Sequence, residues 1–119
     1  MTKTEQLLQQ LASSAESVSF NQVIEAIESD YNYTPSRFTN GLGSNMAINE
    51  AGTNEGSCKI FAFAEINQLT EQQTLHCFGD YYRHDVLQNS LGSDHANIRN
   101  FMQHGWTGVK FDETALIKK

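Results

Sequence analysis

Cys58 is the residue whose type and setting come nearest to chemistry. A thiol in the first turn of a helix sits at the positive end of the helix dipole and tends toward the thiolate. With a histidine and an Asn or Glu brought close, it would be a nucleophile. No spacing ties Cys58 to His76 or His104, and no catalytic motif is recognisable elsewhere. The favoured reading is therefore a small buried hydrophobe at the start of an apolar helix, in a chain that leans away from being an enzyme. The stretch Gly52-Thr-Asn-Glu-Gly56-Ser57 has the glycines and free amides of an anion site, but it lacks the glycine spacing of a phosphate loop. Glu50 and Glu55 also oppose a phosphate, so a structured turn is favoured.

Metal ligation is weakly supported. Asn49, Glu50, Asn54 and Glu55 offer oxygens, and His76, His84, His95 and His104 offer nitrogens, yet none recurs at ligand spacing. The expectation is no metal and no cofactor. The densest functional-looking stretch lies late, where Tyr81, Tyr82, Arg83, His95, Arg99, Asn100, His104 and Trp106 mix aromatic and polar character. Its plainer reading makes Tyr82 and Trp106 core edges and pairs Arg99 with an acid such as Asp94 or Glu50. The candidate ligand-binding set is Asn49, Glu50, Asn54, Cys58, Arg99, Asn100, His104 and Trp106.

The elements that must position these residues are mostly helical. Thr2 with Glu5, Ser19 with Gln22, and Thr70 with Gln73 each form a capping box. The first opens a helix with a narrow leucine stripe, Leu7, Leu8 and Leu11, so residues 1–18 are expected to dock loosely. The second has Val18 and Val23 at staple positions and then Phe20, Ile24, Ile27 and Tyr31 at helical spacing. Pro35 pushes Thr34 toward an extended conformation. From Asn40 to Gly56 the chain is polar and rich in glycine, long for a connection, with Met46 to Ile48 able to pair as a strand with the piece around Phe38. Ser57 is the predicted cap of an apolar central helix from Cys58 to Leu69, favoured over a buried strand.

A long helix is expected from Thr70 to near Gln88, weakened by Gly79, and a last one capped by Ser93 and ended by Gly105. Trp106, Val109 and Phe111 suit an extended segment, and residues 112–119 a mobile tail. The fold class is mainly α: one domain over residues 1–119 of about five helices, with at most a small β element from Phe38–Ile48 and Val109–Phe111.

Composition narrows the partners. In 119 residues, 14 acids against 8 bases give a net charge of −6, which repels phosphate backbones. Nucleic acid is excluded as an expected partner. No stretch approaches the roughly 18 apolar residues that span a bilayer, so no membrane insertion is expected. The opening MTKTEQLLQQ lacks the order of a cleaved signal peptide. Two cysteines, Cys58 and Cys77, fit a reducing compartment, and the expectation is a protein made in the cytoplasm.

The phrases YTPSRFTNG from Tyr33, NEAGTNEGSCKIFAFAEIN from Asn49 and DHANIRNFMQHGWTGVKF from Asp94 closely resemble the HopJ family of small bacterial proteins. CFGDYYRHDV from Cys77 is similar too, and the resemblance runs from about Ser19 to Phe111. It implies a type III secretion effector, delivered into a eukaryotic host cell and acting on a host partner. It carries no catalytic residues or cofactor onto this chain. The alternative is a cytosolic bacterial protein that binds or acts on a small ligand between the Asn49–Cys58 loop and the His95–Trp106 segment.

Overall fold

The computed structural model describes residues 1–119. Thr2 opens α1 (Lys3–Ser14): its hydroxyl accepts from the Glu5 amide at 3.0 Å while Glu5 Oε1 accepts from the Thr2 amide at 2.9 Å. Leu7 and Leu11 are buried, so the narrow stripe suffices to seat the helix against α2 (Phe20–Asp30). Ser19 caps α2 in the same reciprocal way, and the staple residues Val18 and Val23 are fully buried. Removing that cap by Ser19→Ala leaves the Gln22 amide without its acceptor and is expected to cost about 1 kcal/mol, read by chemical denaturation.

The chain leaves α2 as β1 (Tyr31–Tyr33), passes Pro35, and runs through β2 (Phe38–Asn40) and β3 (Ala47–Asn49). β2 and β3 pair antiparallel with Thr39 opposite Ile48, the pairing expected from the sequence. α3 (Glu55–Ile66) follows, and its apolar run is a helix buried on most sides, with Ile60, Phe61, Phe63 and Ala64 inaccessible. Ser57 does not cap it. The helix starts at Glu55, and its N-cap is Asn54 in the left-handed conformation, φ 48°, making no side-chain cap bond.

The long helix expected after Thr70 breaks early. The Thr70–Gln73 capping box is present and α4 spans Glu71–His76, but Gly79 adopts φ +60° and a π-helical turn, Tyr81–Val86, replaces the rest. A Cβ on Gly79 would lie 2.7 Å from the Phe20 backbone nitrogen, so the break is set by the close approach of α2's start. Ser93 likewise does not cap α5 (Ala96–His104), whose N-cap is His95 with φ 52°. Gly105 ends that helix with φ +61°, as expected.

Both terminal stretches are tied down. β4 (Lys110–Phe111) pairs with β2 to give a three-stranded sheet in the order β3-β2-β4. Leu116–Lys118, expected as part of a mobile tail, forms β5 and pairs antiparallel with β1, burying Ala115 and Leu116. Leu116-Ile117-Lys118 shows no alternation of polar and apolar residues and no neighbouring turn, so the strand is set by its partner and not by local pattern. The fold is thus mainly α with a small two-sheet β part. Phe61 stands at the centre of one continuous core, its ring 5.1 to 6.4 Å from those of Phe38, Phe78, Phe101 and Trp106. No helix is long and apolar enough to cross a membrane.

Candidate functional site

The broken helix and the polar loop create a cavity of about 550 Å³. Phe20, Phe78 and Tyr81 form one wall, β3 and the start of α3 another, and His95 to Ile98 at the start of α5 the third. Gly56 is needed where α3 meets Phe20: a Cβ there would lie 3.0 Å from the Phe20 ring. Tyr81 packs edge-on to Phe20 at 5.1 Å and against His95 at 5.4 Å, which makes a continuous aromatic lip.

The floor is a buried carboxamide network. Asn40 Nδ2 donates to the Asn97 carbonyl at 2.8 Å and to Asn97 Oδ1 at 3.1 Å, and Asn49 Nδ2 donates to that same Oδ1 at 3.2 Å. Asn97 Nδ2 answers with a 2.9 Å bond to Asn49 Oδ1, which also accepts from Asn54 Nδ2 at 2.7 Å. Asn40, Asn49 and Asn97 are buried, and the chain of amides ties β2, β3 and α5 into one unit below the cavity. Asn40 Oδ1 alone is left without a partner. Above that floor, two helices open onto the cavity with no side-chain cap, α3 at Gly56 and Ser57 and α5 at Ala96 to Ile98. The first-turn amides of a helix have no partner within it, so both walls present unmatched N–H donors.

His95 is held from behind: its Nε2 lies 3.1 Å from Asp85 Oδ2 and 3.9 Å from Asp94 Oδ2. That leaves Nδ1 as its remaining polar atom. Among the cavity-lining residues there is no thiol.

Of the candidate residues, the structure brings Asn49 and Asn54 to the cavity and places the others elsewhere. Glu50 points to Arg37, 3.6 Å away. Arg99 pairs with Asp94 at 2.6 Å and donates to the Asn89 carbonyl at 3.0 Å, the plainer of its two readings. Asn100 is a strut: its Nδ2 donates to the backbone carbonyls of Asn40 at 3.1 Å and Asn45 at 2.6 Å, pinning the loop. His104 has a buried Nε2 with no partner. Trp106 is a core edge, stacked edge-on to Phe101 at 5.0 Å, with its indole N–H donating to the Leu69 carbonyl at 3.3 Å.

Cys58 is buried behind the cavity wall, its Sγ 3.8 Å from the Ser36 carbonyl. Burial pushes the thiol up and outweighs the helix N-terminus that favoured a thiolate in the sequence reading. Cys77 is more deeply buried and is pushed up to about 12. Both thiols are therefore expected to resist iodoacetamide at pH 8 in the folded protein and to react together once guanidinium unfolds it, as read by intact mass. Labelling of folded Cys58 at the rate of a free thiol would contradict this.

Tyr81 and His95 belong to the late stretch that the sequence marked, and both line the cavity, whereas Asn97, Phe20 and Phe78 were not singled out for it. Asn97 was legible only as a polar residue one turn before Phe101 on a helix face that must be buried, and the rest meet through tertiary contacts alone.

A family model described as HopJ type III effector protein matches residues 4–116, more of the chain than the resembling phrases span. The crystal structure of VPA0580, a protein of unknown function, is 48% identical and superposes with a TM-score of 0.92, covering 97% of this chain and 92% of that one. No curated protein matches the chain significantly.

Proposed function

For a chain that belongs to the HopJ family of type III effector proteins, we propose a binding role: it engages a host-cell protein at the cavity between β3, α5 and Tyr81. The observation that carries this reading is the exposed apolar lip. Ile48 and Tyr81, which line the cavity, are 57% and 44% exposed, above a polar floor whose side-chain amides bond mostly to one another. Exposed apolar side chains gathered at a concave opening are the usual mark of an interaction site. Delivery by a type III system belongs to the same proposal. A translocation reporter fused to the chain should reach host cytosol from a strain with the secretion apparatus and not from its secretion-null parent.

A photo-crosslinking side chain placed at Ile48 tests the binding site. A discrete adduct from host extract is expected at Ile48, and none at Ile66 or Ile117, which are 49% and 60% exposed but lie away from the cavity. Tyr81→Ala should abolish the Ile48 adduct. Equal adducts at all three positions, or none at Ile48, would reject the site.

The second reading, a small ligand, is favoured by the asparagine floor and by His95. It expects a small molecule to raise the melting temperature of the wild type but not of Tyr81→Ala, and to compete with the Ile48 adduct.

A further inference from the structure

β3 carries the next step, because three successive residues of it, Ala47, Ile48 and Asn49, all touch the cavity. Side chains alternate between the two faces of a strand. Here Asn49 is buried in the amide network on one face while Ile48 stands 57% exposed on the other. A cavity reached from both faces runs along the edge of the strand. That edge is free: in the order β3-β2-β4, β3 is outermost and is paired only to β2. Exposed edges are ordinarily guarded by charge or proline, yet Met46-Ala47-Ile48-Asn49 has neither.

The surroundings select the occupant. Glu50, Glu55, Asp80 and Asp94 each adjoin a cavity residue in the chain, and Asp85 backs His95. Arg99 is the single cation so placed and its guanidinium is committed to Asp94, while Glu50 is paired with Arg37; Glu55 and Asp80 have no ion-pair partner. An anion is disfavoured here, whereas the unmatched amides at the starts of α3 and α5 suit neutral carbonyl oxygens. An extended peptide brings carbonyls along its backbone and can bring lysines or arginines at its flanks.

We propose that an extended, basic peptide segment of the partner adds to β3 as a fourth strand of this sheet, with one aromatic or large aliphatic side chain seated against Phe20, Phe78 and Tyr81. The proposal rests on the binding role above and names its mode. Three residues of edge allow few ladder bonds, so the seated side chain supplies much of the selectivity.

A displayed library of random twelve-residue peptides, panned against the full chain, tests it, with enriched sequences then made synthetically. Enrichment of peptides with a net positive charge and one large apolar anchor is expected. N-methylation of alternate backbone amides around the anchor should weaken binding at least 10-fold, and the intervening positions should tolerate it. Tyr81→Ala should weaken binding by a similar factor, and Ile48→Arg should weaken it more than Ile48→Glu. Binders that lose affinity in Tyr81→Ala but tolerate N-methylation at every position would overturn strand addition while leaving the cavity as the partner site. Absence of any enriched peptide would overturn the peptide mode, and an Ile48 adduct from host extract would then still uphold the binding role. Loss of both would reject the two together.

Discussion

Gly79→Ala is expected to destabilise the protein by about 3 kcal/mol, the larger share from steric contact and the rest from backbone conformation. At φ +60° an L-residue is strained by roughly 1 to 2 kcal/mol. The added methyl would also meet the Phe20 nitrogen at 2.7 Å and the Ser19 carbonyl carbon at 3.4 Å, both backbone atoms that cannot swing aside. Relief requires the start of α2 to move away from the π-helical turn. That movement would carry Phe20 out of the cavity wall, so the variant should lose partner binding at temperatures where it remains folded. Urea denaturation measures the first effect, and the Ile48 crosslink the second. A loss below about 1 kcal/mol would mean that the turn relaxes locally and that the approach of α2 does not set the helix break.

Asn97→Ala is expected to cost about 2 to 3 kcal/mol, because it strips partners from groups that stay buried. Asn49 would lose its 3.2 Å acceptor and its 2.9 Å donor at once, keeping only two long bonds of 3.4 Å to the Phe38 and Ala47 carbonyls besides the one from Asn54. Asn40 would keep the Asn97 backbone carbonyl but lose the side-chain oxygen. Asn54→Gly, which removes the amide at the exposed end of the same chain of amides and tolerates the left-handed turn at φ 48°, should cost under about 1 kcal/mol. Comparable losses for the two variants, measured side by side in urea, would show that the network is not a cooperative unit.

Helix starts were legible where side chains closed them. Thr2, Ser19 and Thr70 each announce a capping box, and all three are formed. Ser57 and Ser93 were misleading for a related reason: each has a hydroxyl near a helix start, but the starts are set instead by Asn54 and His95 turning left-handed. Nothing in a single sequence distinguishes a histidine that adopts positive φ from one that does not, since the cause is tertiary. The break at Gly79 was visible only as a weak point, because the Phe20 backbone that forces it lies far away in sequence. The pairing of β2 with β3 was readable from the stretch Met46 to Ile48 and the piece around Phe38, whereas β5 has no local turn and is held by β1, far earlier in the chain.

The candidate site was half legible for the same reason. Polarity drew attention to Asn49 and Asn54, which do reach the cavity, and equally to Arg99, Asn100 and Trp106, whose polar atoms are consumed in holding loops together. Type and spacing identify residues able to bond. Which bonds are already spent depends on geometry that only the folded chain supplies.

The asparagine floor separates two kinds of change that most binding sites confound. Its members are buried and face one another, while Ile48 and Tyr81 on the lip have about half their surface free. Substitutions on the lip can therefore retune which side chain is welcomed without disturbing the joint between sheet and helix. If the proposed binding role holds, the arrangement makes the protein a scaffold with an interchangeable rim, on which specificity drifts at little cost to the joint beneath it.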